Sequence, residues 1–119
     1  MQGEITIDAE RRFLRVQFDQ SATVKDWVEA RAIFLQLSEE TEIRRALVDL
    51  RQQQIAGPVS QLFAFGQNIP SGITVAVLGD PHSDDHKFVE TVALNRGKTV
   101  RLFFGSEEEA IEWLMTGAG

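Results

Sequence analysis

The sequence predicts an α/β domain in which short strands alternate with helices, and three stretches of the 119-residue chain carry this prediction. The run from Ile73 to Leu78 is apolar at nearly every position, as expected for an interior strand of a mostly parallel sheet. The stretch from Val100 to Leu114 passes from an apolar strand through a glycine and a serine into a helix. Ala46 to Leu50 is a third apolar run of strand length. We therefore expect the order β-β-α-β-α-β-α-β-α, with a five-stranded mixed, mostly parallel sheet and four helices in a single domain over residues 1–119.

The first two strands are expected to form a hairpin. Ile5 and Ile7 alternate with polar residues, and Leu14, Val16 and Phe18 repeat the alternation after a short polar turn. A strand with this pattern has one buried face and one solvent-exposed face, so we place the hairpin at an edge of the sheet.

Each of the four helices is predicted from a residue suited to a helix N-terminus, namely Thr23, Pro58, Ser83 or Asp84, and Ser106. Thr23 has Asp26 three positions later, as in a capping box, and Gly97 is suited to end the third helix. The three consecutive glutamates after Ser106 are ordinary for the first turn of a helix. Trp27 and Trp113 fall at helical spacing with other apolar residues, so we expect both in the core.

The composition of the chain argues against several classes of partner and site. The chain carries 12 Lys and Arg against 18 Asp and Glu, and its basic residues are scattered, so we expect no nucleic-acid partner. No apolar run approaches the length of a membrane span and the N-terminal residues do not form a signal peptide, so we expect no membrane insertion and a cytoplasmic location. Because the chain has no cysteine, it can form neither a disulfide nor a thiolate metal site.

The order of strands and helices along the chain, the sequence Val48-Asp49-Leu50-Arg51 and an acidic last helix ending in Trp113-Leu114 together resemble the STAS domain. Within that group the chain is similar to the small stand-alone bacterial SpoIIAA-like proteins. The resemblance covers nearly the whole chain. It implies a non-enzymatic interaction or regulatory module that needs no cofactor. Its partner would be another protein or a second copy of the chain in a homodimer, contacted through the helix from Pro58 to Ile69.

The resemblance also implies where a regulatory site would lie. Antagonists of this family carry an aspartate at the end of the third strand and a phosphorylated serine at the start of the following helix. Asp49 matches the aspartate, but Ala56-Gly57-Pro58 stands where the serine is expected. Pro58 has no hydroxyl, and Ser60 lies further into the helix. We therefore expect an interaction module without the usual phosphoacceptor serine.

An alternative function is the binding of a small apolar, lipid-like ligand. Phe63 and Phe65 are two residues apart on the predicted second helix, so their side chains diverge and one can lie outside the core stripe. We expect a pocket near these two phenylalanines and the strand ends at Leu50 and Leu78. A short helix that packs both phenylalanines in the core explains the same residues.

The densest polar stretch, Asp80 to His86, holds both histidines and three carboxylates and falls between a strand and a helix. Ligands of open α/β sheets bind at such a position, which makes Asp80, His82 and Ser83 candidates for binding or interaction. His82 and His86 could ligate a divalent metal ion. The same residues are also those of an ordinary loop and helix start. No catalytic set stands out, so we expect no enzymatic activity.

Overall fold

The computed structural model describes residues 3–19, 23–52, 69–70, 72–79 and 84–117, without the side chains of residues 24, 84–86, 88–89 and 117. Its elements in chain order are the strands β1 and β2, helix α1, the strands β3 and β4, helix α2, strand β5 and helix α3. Their bounds are β1 Gly3–Asp8, β2 Phe13–Phe18, α1 Val24–Thr41, β3 Arg45–Asp49, β4 Thr74–Leu78, α2 Asp84–Asn95, β5 Thr99–Phe103 and α3 Glu107–Glu112. A π-helical segment, Trp113–Gly117, continues α3.

The five strands form one sheet in the order β1-β2-β3-β4-β5. β1 is antiparallel to β2, and the other neighbouring pairs are parallel. The predicted five-stranded, mixed and mostly parallel sheet is thus confirmed, and so is the hairpin at its edge. One row across the sheet joins Ile5, Val16, Val48, Val77 and Leu102, which places the side chains of that row on one face.

Three α-helices lie within the described residues, where the sequence predicted four for the whole chain. The difference arises at the second predicted helix, because Pro58 and the residues after it up to 68 lie outside the described ranges. The third predicted helix is α2, which begins at Asp84. None of the helices in the described ranges combines the length and the apolar character that a membrane crossing requires.

The helices divide between the two faces of the sheet. α1 and α2 cover one face, where Phe34 and Ala93 join a buried cluster with Val75. α3 covers the other, where Ala110 and Ile111 pack in a second buried cluster. Because α1 and α2 each link a strand to its next parallel neighbour in the same direction, crossovers of one hand place both helices on the same face.

The helix ends follow the predicted local chemistry. The backbone N–H and the hydroxyl of Thr23 both donate to Asp26 Oδ2, at 2.7 and 3.0 Å. Ser106 Oγ accepts a hydrogen bond from the Glu109 backbone N–H at 3.3 Å. After α2, Gly97 takes φ +75°, a left-handed conformation that glycine adopts without strain.

Candidate functional site

An apolar pocket lies between α1 and the face of the sheet that this helix covers. Its floor consists of side chains from three neighbouring parallel strands. Val16, Val48 and Val77 form one row across β2, β3 and β4, and Ala46 and Val75 belong to the row two residues earlier, on the same face. Alternation along each strand directs these side chains to the same face. The floor is therefore a direct result of the apolar residues at every second position of β2, β3 and β4.

The roof of the pocket is one side of α1. Trp27, Ala30 and Phe34 recur at helical spacing and are buried, with exposed fractions of 7, 3 and 4%. Val28 and Arg31 lie on the flank of this stripe and are exposed. The same helix thus supplies both the buried roof and part of the solvent-facing rim.

Val48 shows that the pocket opens over the middle of the sheet. It belongs to β3, which has two strands on either side, yet its side chain is only half-buried. Its neighbour on the same strand face, Ala46, is 3% exposed. The pocket has a volume of about 70 Å³ and is open to solvent at its mouth. It is a cleft between helix and sheet rather than a sealed void.

Arg31 is the only charged residue among the described residues that line the pocket. Phe18 extends the lining at the end of β2, and Ile69 and Pro70 close one side of it just before β4. An apolar lining with few polar groups is the usual character of a pocket that binds a small molecule.

Asp49 lies on the opposite face from the pocket, because it follows Val48 on the same strand. It is 4% exposed, and Arg51 provides its partners. The Arg51 backbone N–H and Nε–H donate to Oδ1, both at 3.0 Å, and Nη2–H donates to Oδ2 at 2.8 Å. A buried carboxylate needs hydrogen-bond donors, and Arg51 supplies them from both its side chain and its backbone. These contacts close the chain turn after β3 and do not reach the pocket.

The Asp49 carboxyl remains an anion despite its burial. Burial raises its pKa, but hydrogen bonds from Arg51 and the positive charges of Arg51 and Arg15 outweigh that effect and hold the pKa below its usual range. Arg15 also forms an ion pair with Glu107 at the start of α3. The charged groups on this face therefore tie β2, β3 and α3 together, which is a structural role.

The phenylalanines of the predicted pocket, Phe63 and Phe65, lie outside the described ranges, so only its predicted strand ends, Leu50 and Leu78, can be compared with the pocket beneath α1. Leu78 packs in the cluster beneath α3, on the face away from the pocket, because the side chains of β4 alternate and Val77 faces α1. Leu50 is fully buried in the core on the α1 side. The predicted strand ends are thus not part of the described lining. The pocket lies further back along the strands, over Val16 and Val48.

Most of the other predicted site residues lie outside the described ranges: Pro58, Phe63, Phe65, Asp80, His82 and Ser83. His86 belongs to α2, but its side chain is not among those described. Among the described side chains, no three His, Cys, Asp or Glu residues come together as ligands for a metal ion.

The sequence interpretation did not identify Arg31, Val48 or Pro70 as pocket residues. Arg31 follows Trp27 by one helical turn, at the edge of the apolar stripe of α1. An arginine at the edge of such a stripe is common, because its long stem covers apolar surface while its head stays in water. Its position was visible in the sequence, but its place at a pocket mouth was not.

Comparisons of the chain with protein-family models, with curated proteins and with solved structures gave no match.

Proposed function

We propose that this chain binds a small apolar ligand in the pocket beneath α1. The observation that carries the proposal is the half-buried Val48 on an interior strand, with open apolar space above it. An interior strand position of this kind is normally covered by a packed helix, as Ala46 and Val75 are. A ligand that fills the space removes the remaining apolar surface from water.

The driving force is hydrophobic. Each methylene group that leaves water on binding contributes about 0.8 kcal/mol, which corresponds to roughly a fourfold gain in affinity. Affinity in a series of linear ligands should therefore rise with chain length until the pocket is full.

The proposal is one of binding without turnover. The described lining consists of aliphatic and aromatic side chains together with Arg31. A guanidinium stays protonated in proteins and serves poorly as a general base. Binding, rather than bond making or breaking, is what this lining supports.

A titration with the neutral fluorescent dye N-phenyl-1-naphthylamine tests the proposal. Val48→Phe places a larger side chain on the floor of the pocket and should weaken dye binding at least tenfold. Ile33→Phe is the matched control, because Ile33 is an exposed residue of α1 that does not line the pocket. It should bind the dye as the unmodified chain does. Failure of the unmodified chain to bind, or equal binding by Val48→Phe, would overturn the proposal.

The regulatory interaction implied by the STAS resemblance stays a prediction. The helix that would contact the partner was predicted to start at Pro58, and residues 53–68 lie outside the described ranges. Light scattering and pull-down test it directly: a strictly monomeric protein that captures no specific partner would count against it.

A further inference from the structure

We infer that the ligand of the pocket is an anionic amphiphile, an apolar chain that ends in a carboxylate, and that Arg31 binds the carboxylate at the pocket mouth. This inference rests on the proposed function, since it names the class of ligand for the same pocket. The observation behind it is the position of one exposed arginine among the otherwise apolar residues of the described lining.

The rim position follows from the helical spacing of α1. Trp27 and Phe34, one turn before and one turn after Arg31, are buried in the roof. Val28, three positions earlier, is 55% exposed and also lines the pocket. Arg31 thus lies where the apolar lining meets solvent. A chain inserted beneath α1 would bring its polar end to this boundary.

The chemistry of the guanidinium favours a carboxylate over other polar groups. Its five N–H donors lie in one plane and match the two oxygens of a carboxylate in a bidentate pair. The head group can stay partly hydrated at the mouth while the tail is buried, so the ion pair carries little of the desolvation penalty of a buried one.

Because the whole chain is negatively charged, a preference for an anionic ligand would point to a positive group at the pocket itself. The chain carries a formal net charge of −6, which repels anions at long range. A preference for an anionic ligand over a neutral one therefore requires a local positive group. Arg31 is the charged group that the described lining provides.

Competition for the dye by decanoate, decanol and decylammonium tests the inference, because the three share one tail and differ in head group. At low salt, decanoate should bind about fivefold more tightly than decanol, the size expected for a solvent-exposed ion pair. Decylammonium should bind more weakly than decanol. Arg31→Gln should remove the advantage of decanoate and leave decanol unchanged, and Arg31→Lys should retain part of it.

Arg101→Gln is the matched charge control. It removes one positive charge from an exposed position on β5, on the face of the sheet away from the pocket. It should keep the preference for decanoate. If decanoate and decanol bind the unmodified chain equally, or if Arg101→Gln removes the preference as Arg31→Gln does, the inference is wrong although the pocket still binds ligands. If none of the three displaces the dye, the inference is wrong; if the dye also fails to bind, the proposed function is wrong too.

Discussion

Val48 and Asp49 are adjacent residues of β3 whose side chains have opposite surroundings. Val48 faces the open pocket and is half-buried, whereas Asp49 faces the opposite side of the sheet and is almost fully buried against Arg51, two residues later in the chain. The first position leaves apolar surface for a ligand to cover. At the second position, Arg51 of the same chain provides the hydrogen bonds that the buried carboxylate needs. Ligand binding is thus expected to depend on Val48, and folding stability on Asp49.

Asp49→Asn should lower the free energy of unfolding at pH 7 by about 1–2 kcal/mol, since the charged partner of Arg51 is lost while half of the Arg51 side chain faces solvent. The pKa of Asp49 is lower in the folded chain than in the unfolded one. Its stabilising contribution is therefore complete above the unfolded value, about 3.9, and is lost as the pH falls through the folded value. Urea unfolding of both proteins from pH 7 down to about pH 3 measures this dependence.

Asp8→Asn is the control for this change. Asp8 also pairs with an arginine, Arg11, at 3.0 Å, but it does so in a surface turn. The loss of stability should be smaller than at Asp49. If the difference between Asp49→Asn and the unmodified chain does not shrink as the pH falls from about 4 to about 3, the assignment of Asp49 as a stabilising anion is contradicted.

At the residue scale, the contacts that could be predicted from the sequence are those between residues close together in the chain. The pairing of Asp49 with Arg51 was predictable, because the two residues are close in sequence and a buried carboxylate needs a donor. The position of Arg31 at the pocket mouth was not. It depends on the open space over Val48, which only the packing of α1 on the sheet reveals.

At the element scale, α1 is both a core helix and the roof of the pocket, so its N-terminal cap supports the site. Asp26→Ala removes the acceptor of two hydrogen bonds from Thr23. We expect this change to lower the free energy of unfolding by about 1 kcal/mol, the usual effect of losing a helix cap. Chemical denaturation measures it. An unchanged unfolding free energy would show that the cap does not hold α1 in place.

Helix α3 and its π-helical continuation should affect stability without affecting the pocket, because they lie on the opposite face. Leu114 is 3% exposed in the cluster beneath them. Leu114→Ala should lower the free energy of unfolding by about 2–5 kcal/mol, the range for truncating a buried leucine. Under conditions where the variant is folded, its dye affinity should match that of the unmodified chain. A parallel loss of affinity would contradict the separation of the two faces.

The strands and caps were predictable from local patterns because alternation, apolar runs and capping residues act over a few positions. The hairpin of β1 and β2 and the end of α2 at Gly97 are examples. The face that α3 covers was not predictable in this way. It depends on the direction of the chain after β5, which no local pattern specifies.

At the scale of the whole molecule, the sheet separates the side that carries the pocket from the side that α3 covers. α1 and α2 cover the first and α3 covers the second. The fold class followed from the order of strand and helix patterns. The strand order and the location of the pocket required the three-dimensional pairing, because residues far apart in sequence, such as Val16 and Val77, meet only in the folded sheet.

The two tryptophans of the chain lie on opposite faces and provide a direct test of this division. Trp27 lines the pocket, and Trp113 packs beside the cluster of α3. A bromine atom quenches tryptophan fluorescence only at short range, and packed layers in proteins lie about 10 Å apart. A ligand in the pocket should therefore quench Trp27 and not Trp113.

The most direct test of the account is a titration of the two single-tryptophan variants with 10-bromodecanol. Trp113→Phe retains Trp27, and its fluorescence should fall in a saturable manner as the brominated chain enters the pocket. Trp27→Phe retains Trp113, and its fluorescence should stay constant over the same concentrations. Saturable quenching of Trp113, or none of Trp27, would contradict the claim that this pocket binds an apolar ligand.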